Sequence, residues 1–112
     1  MKTSITARHF DMSDNTREYT LEAMNGLAKY FDRISDAQAV FTREKDGWHA
    51  ELIVGVPGRT LTSEGRADLL FTAIDEASGK LGRQLKRYKG KLSHEKSRRE
   101  VQATTTAPIE ET

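Results

Sequence analysis

The chain contains no cysteine, which excludes disulfides, thiolate metal sites and thiol nucleophiles and leaves stability to packing alone. No apolar run is long enough to span a bilayer, so no membrane partner is expected. The opening Met1-Lys2-Thr3-Ser4-Ile5 lacks the apolar block and small-residue cleavage site of a secretory signal, and the expected address is the cytoplasm. Aromatics are scarce: Trp48, three Tyr and four Phe. Tyr88, Phe31 and Phe71 fit helix apolar stripes and Trp48 opens the inward parity of a strand. Core use therefore outweighs base stacking, and no platform for single-stranded bases is evident. Of the three histidines, His9 with Asp11, or His49 with Glu51, sets two ligands on one strand face, but no third has usable spacing, so neither a metal nor another cofactor is expected. Carboxylates are scattered without an interpretable acid–base pair, and the chain does not read as an enzyme.

What the sequence does have is segregated charge. Between Lys80 and Arg99 lie nine of the eighteen basic residues against one acid, Glu95, leaving that segment at +8; the other nine basic residues face sixteen acids, leaving the rest at −7. The overall +1 conceals this. Such an asymmetry points to a polyanionic partner, because summed charge governs association and not chain topology.

The chain predicts one domain, residues 1–92, followed by a tail. Residues 2–10 alternate as a short half-buried strand. Ser13 or Asp14 can cap a helix in which Tyr19, Ala23, Met24, Leu27, Tyr30 and Phe31 recur at helical spacing, so the first helix is expected to end near Phe31. Gly26 within it is read as a point of close approach to a neighbour. Ala39 and Phe41 share one face of a second strand. Lys45-Asp46-Gly47 then signals a hairpin, and Trp48, Ala50, Leu52, Val54 and Val56 share one face of a third. After the turn at 56–59 a fourth strand spans 60–66, and Asp68 opens a second helix with a stripe of Leu70, Ile74, Ala77, Leu81, Leu85, Tyr88 and Leu92. The order is β-α-β-β-β-α: an α+β fold, a four-stranded sheet with two helices packed on one face and the other face wet. Residues 93–112, rich in Ser, Thr, Ala, Glu, Lys and Arg, are expected to form a disordered tail.

On the second helix Lys80, Arg83, Arg87 and Lys91 fall within about 80° of one another and spread over about 16 Å. They make a ridge suited to several phosphates of a nucleic-acid backbone, sequence-blind and salt-dependent. The competing view is a solvated helix face. With no stacking platform, folded RNA read by shape and backbone is the better target. Gly79 and Gly82 flank Lys80 and Leu81 without forming a phosphate loop; they relieve crowding or let a backbone approach.

The chain resembles the ribosome hibernation family, the small bacterial proteins called hibernation promoting factor and ribosome-associated inhibitor, over most of residues 2–92. The resemblance is carried by Ile5-Thr6-Ala7-Arg8-His9, Arg17-Glu18-Tyr19, Leu27-Ala28-Lys29-Tyr30-Phe31, Phe71-Thr72-Ala73-Ile74-Asp75 and Lys80-Leu81-Gly82-Arg83-Gln84-Leu85, in that order and spacing. It implies a fold like that of double-stranded RNA-binding domains. It also implies binding in the decoding region of the small ribosomal subunit, where the domain silences idle ribosomes. The second helix would then contact ribosomal RNA through Lys80, Arg83, Lys86 and Arg87, to which charge and position add Lys89, Lys91 and Arg8. Long members carry a second, dimer-forming domain that this sequence lacks, so a monomer that does not pair ribosomes by its own dimerisation is expected. A tail of this length resembles the inhibitor branch, whose tail opposes ribosome pairing, although this one is less acidic. Two other readings stay open: a general double-stranded RNA-binding module, and a protein-interaction or sigma-factor regulatory module.

Overall fold

In the computed structural model, which describes residues 1–101 and side chains as far as 91, the elements run β1 (Lys2–Arg8), α1 (Asp14–Leu27), β2 (Asp36–Glu44), β3 (Gly47–Val56), β4 (Arg59–Ala67) and α2 (Leu70–Val101). Ser13 is the residue that caps α1, its Oγ accepting the N–H of Thr16 at 3.1 Å and satisfying a donor the first helical turn leaves orphaned. Inside α1 the hydroxyl of Thr20, fully buried, donates to the Thr16 carbonyl at 2.8 Å.

The sheet order is β1-β2-β3-β4. β2, β3 and β4 form the expected antiparallel meander, whereas β1 joins β2 in parallel, with Ile5 opposite Ala39. A parallel neighbour needs a crossover, and α1 is that crossover. The register lines up Ala39, Leu52 and Ser63, then Phe41, Ala50 and Gly65, on the helix-covered face. There they join Met24 and Leu27 of α1 and Ala73, Ile74, Ala77, Leu81, Leu85 and Tyr88 of α2 in one core. The opposite face carries Gln38, Thr42, His49, Glu51, Thr62, Glu64 and Arg66, with His49 Nε2 3.0 Å from Glu64 Oε1 on the neighbouring strand.

Four expectations are corrected. α1 stops at Leu27, short of Phe31, because the N–H groups of Ala28, Lys29 and Tyr30 donate to carbonyls three residues back, at 3.2, 3.1 and 3.0 Å. That tightens the last turn, burying Phe31 while leaving Tyr30 38% exposed. Gly26 marks no close approach, since a Cβ there would meet nothing within 4 Å. Phe71 is not core: it follows Leu70 and so lies about 100° further round the helix, 42% exposed and stacked on Tyr19 with centroids 4.4 Å apart. Finally, α2 continues to Val101, past Leu92. The apolar stripe fades there, but Glu, Lys and Arg sustain helix by propensity alone. Residues 102–112 of the expected tail, Glu110 and Glu111 among them, lie outside the described residues, as do the side chains of Lys96, Arg98 and Arg99.

The two helices are tied where Tyr19 Oη donates to Asp75 Oδ1. That hydrogen bond first, then burial and the charges of Asp75 and Glu22, holds the Tyr19 phenol above its ordinary value. Folding thus favours the protonated phenol, and its contribution is complete below about pH 10 and lost as pH rises through the folded-state value. Tyr19→Phe is expected to cost about 1 kcal/mol at neutral pH, with the gap to the wild type closing above that range. Urea unfolding at pH 7 and at high pH measures both.

Candidate nucleic-acid interface

The seat of α2 against the sheet decides which of its cations are available. Ser63 Oγ donates to the Ala77 carbonyl at 2.7 Å, and Gly65 lies under the backbone of Ala73 and Ala77. From that seat the helix reaches over the outer edge of β4. Glu76 Oε1 accepts the Arg66 N–H at 2.9 Å, Lys80 Nζ donates to the Glu64 carbonyl at 3.1 Å, and Gln84 Nε2 donates to the Thr62 carbonyl at 2.8 Å. One helix flank thus satisfies a run of backbone groups that an edge strand otherwise leaves open to stray pairing. Lys80 also stands 3.6 Å from Glu76 Oε2. Its ammonium is shared between sealing the sheet and meeting solvent.

Beyond Gln84 the same flank opens into a groove of about 290 Å³ between α2 and the β3–β4 turn, lined by Arg59, Leu61, Gln84, Arg87, Tyr88 and Lys91. The turn is pinned to the helix by the Tyr88 hydroxyl, which donates to the Pro57 carbonyl. The Arg59 guanidinium lies 5.8 Å from the Tyr88 ring centroid. Three cations and no carboxylate line this groove. Two are arginines, whose planar forks match phosphate oxygens in pairs.

Arg83 is exposed between Lys80 and Arg87 on the same side of the helix. Lys86 and Lys89 fall on the other flank, towards the end of α1, where with Lys29, Tyr30 and Gly90 they line a second open notch of about 430 Å³. Arg8 does not join either group. It ends β1, the sheet edge opposite β4, and its partner in register is Thr42 on the uncovered face. Three strand spacings, about 14 Å, separate that edge from β4.

The structure therefore keeps six of the seven expected residues on α2, divides them between two flanks, gives Lys80 a second role and leaves Arg8 apart. Reading by spacing missed Arg59, Lys29 and Tyr30. A lone arginine at the first position of a strand after a tight turn has no periodicity to betray it, and Tyr30 passes for core on a helix wheel until the helix is seen to end before it.

A half-covered four-stranded sheet whose second helix turns cations outward on both flanks defines a class, the small α+β domains with an exposed cationic helix face. Within that class the family is shown by sequence: residues 3–93 match the model for "Sigma 54 modulation protein / S30EA ribosomal protein", and the chain belongs to that family. Among its relatives, the ribosome hibernation promoting factor of Azotobacter vinelandii is 32% identical over 91 residues, covering 81% of this chain and 85% of the relative. That of Pseudomonas putida is 30% identical over 91 residues, covering 81% and 89%. Among solved structures, a ribosomal subunit interface protein from Coxiella burnetii superposes with a TM-score of 0.76 at 27% identity, over 80% of this chain and 99% of that one. The N-terminal domain of Thermus thermophilus Protein Y gives 0.72 at 28%, over 79% and 99%. The α+β fold read from the sequence is thus the fold of the family.

Proposed function

We propose that this protein is a non-enzymatic, ribosome-associated translation inhibitor that occupies the decoding region of the small subunit on idle ribosomes. It is held there by α2 against ribosomal RNA phosphates and acts in the cytoplasm as a monomer when off the ribosome. Family membership supports the ribosome as partner, since the relatives are named for ribosome hibernation. The observation that carries the mode of binding is the groove in which Arg59, Arg87 and Lys91 converge without a carboxylate, beside an exposed Arg83. Cations fixed along one helix flank and one turn address a backbone by position and not by base. A ribosomal RNA surface meets that geometry better than an isolated duplex, because it can contact turn and helix together.

Sedimentation of a stationary-phase lysate through a sucrose gradient at low salt tests this. The protein is expected to travel with small subunits and whole ribosomes and to stay there when a plain RNA duplex is added in equal amount. A protein left in the free fraction overturns the reading. Release by the duplex would instead mark a general double-stranded RNA-binding module, and a complex that survives nuclease would mark a protein-interaction or sigma-factor module.

A further inference from the structure

Among the large apolar or aromatic side chains exposed in the described residues, two are aromatic, Tyr30 and Phe71, and their surroundings differ in sign. Phe71 already stacks on Tyr19, which bonds Asp75, and Glu22 lies beside that pair; carboxylates there repel phosphate. Tyr30 sits with Lys29, Lys86 and Lys89 around an open notch. No carboxylate among the described residues lies within ion-pair distance of those three lysines.

The seat of the ring is built into the sequence. A Cβ on Gly82 would stand 3.0 Å from Tyr30 Cε2, tighter than most side-chain contacts, so the glycine lets the phenol lie directly on α2 without being pushed aside. On the other side of the notch Gly90 leaves the helix surface bare. Lys86 Nζ stands 5.0 Å from the ring centroid, over the ring, in the cation–π position that holds an ammonium loosely at an exposed site. An exposed aromatic ring flanked by mobile cations is the arrangement by which proteins take unstacked bases, the ring meeting the base and the cations the adjoining phosphates. A paired base keeps its faces within the duplex stack, so the ring can be reached only by a nucleotide turned out of the helix.

We propose that the Tyr30 notch receives one unpaired nucleotide of the RNA partner, its base laid against the phenol ring and its flanking phosphates held by Lys29 and Lys89. Lys86 covers the ring when the notch is empty and moves to a phosphate when the base arrives. This rests on the ribosomal RNA reading above and extends it: the β4-side groove grips backbone, while the α1-side notch demands a bulge or loop. Lys86 and Lys89, which stand off the ridge, thereby acquire a different task from Arg87 and Lys91.

The test uses the full chain with two RNA hairpins of equal length at low salt, one fully paired and one with a single 2-aminopurine bulge, and with adenosine monophosphate as a free-nucleotide arm. The wild type is expected to bind the bulged hairpin roughly tenfold tighter, the scale of one stacked base, and to quench its fluorescence. Tyr30→Leu removes both the preference and the quenching; Tyr30→Phe, which keeps the ring, retains both. Equal affinity for the two hairpins with unquenched fluorescence, in a protein that still sediments with ribosomes, overturns the inference and leaves the ribosomal reading standing. Loss of the preference in Tyr30→Phe as well as Tyr30→Leu overturns the stacking role. Adenosine monophosphate binding as tightly as the bulged hairpin overturns the assignment to RNA. A wild type that binds neither ribosomes nor hairpins overturns the ribosomal reading itself.

Discussion

Changing Arg83, Arg87 and Lys91 together to Glu is expected to lower ribosome affinity by about a thousandfold while leaving the fold intact. In the proposed binding mode each cation would supply a charge-assisted contact of about 1.5–3 kcal/mol, and three at the lower end exceed the 4.2 or so that a thousandfold change requires (roughly 1.4 per tenfold). Removing three phosphate contacts should also flatten the dependence of log affinity on log salt by about three. All three side chains are exposed and off the core stripe, so thermal unfolding should be unchanged. Pelleting assays from 50 to 300 mM salt read both effects. Retention of wild-type affinity and slope would remove this flank of α2 from the interface.

Lys80 is left out of that set for a structural reason. Its ammonium bonds the Glu64 carbonyl and neighbours Glu76, so a carboxylate there would repel Glu76 and expose the β4 edge. Loss of binding in such a variant would mix interface with fold. Arg8 is the complementary control: at the far edge of the sheet, Arg8→Glu is expected to change affinity by no more than about twofold, the scale of one screened distant charge.

Most of the fold was legible because its signals are local. Alternation from Trp48 to Val56, the Asp46-Gly47 turn and the apolar stripe of α2 each name an element without help from the rest of the chain, and Ser13 caps α1 as its position suggests. The misreadings of the two aromatics arise because periodicity alone does not fix where a helix ends or how wide its apolar stripe is. Tyr30 and Phe71 both sit beside apolar stripes; the tightened end of α1 turns Tyr30 outward, and the step of about 100° from Leu70 does so for Phe71. The candidate site was legible in its charge and in the division of the α2 cations, since Arg83, Arg87 and Lys91 share one flank as the wheel places them and Lys86 and Lys89 the other, but not in the residues from outside α2 that join each flank. Which cations cooperate depends on what α2 leans against, and that is set at Gly65 and in the β3–β4 turn, neither of which carries a charge pattern.

Gly65 is where one methyl group should matter most to the fold. A Cβ there would lie 2.9 Å from the Ala77 nitrogen and 3.0 Å from Glu76 Cβ, and closer still to the Ala73 carbonyl oxygen. Two of these neighbours are backbone within a helix and cannot swing aside, so relief requires α2 to lift off β4. Overpacking of that kind costs about 1–3 kcal/mol, occasionally more, and Gly65→Ala is placed at the upper end, about 3. For a domain of this size that lowers Tm by roughly 15 °C and takes a large share of the roughly 5–15 kcal/mol that holds such a domain folded. Lifting the helix also pulls Lys80 and Gln84 from the β4 carbonyls and parts Arg87 from Arg59 across the groove, so ribosome affinity should fall even in the fraction that stays folded. Gly26→Ala supplies the contrast. With nothing within 4 Å of the new Cβ, it should gain up to about 1 kcal/mol from helix propensity alone and leave binding untouched. Scanning calorimetry of the two variants against the wild type measures the opposition. A Gly65→Ala protein melting within a few degrees of the wild type would mean that β4 gives way beneath the helix, and that the spacing of α2 from the sheet is not what fixes the groove.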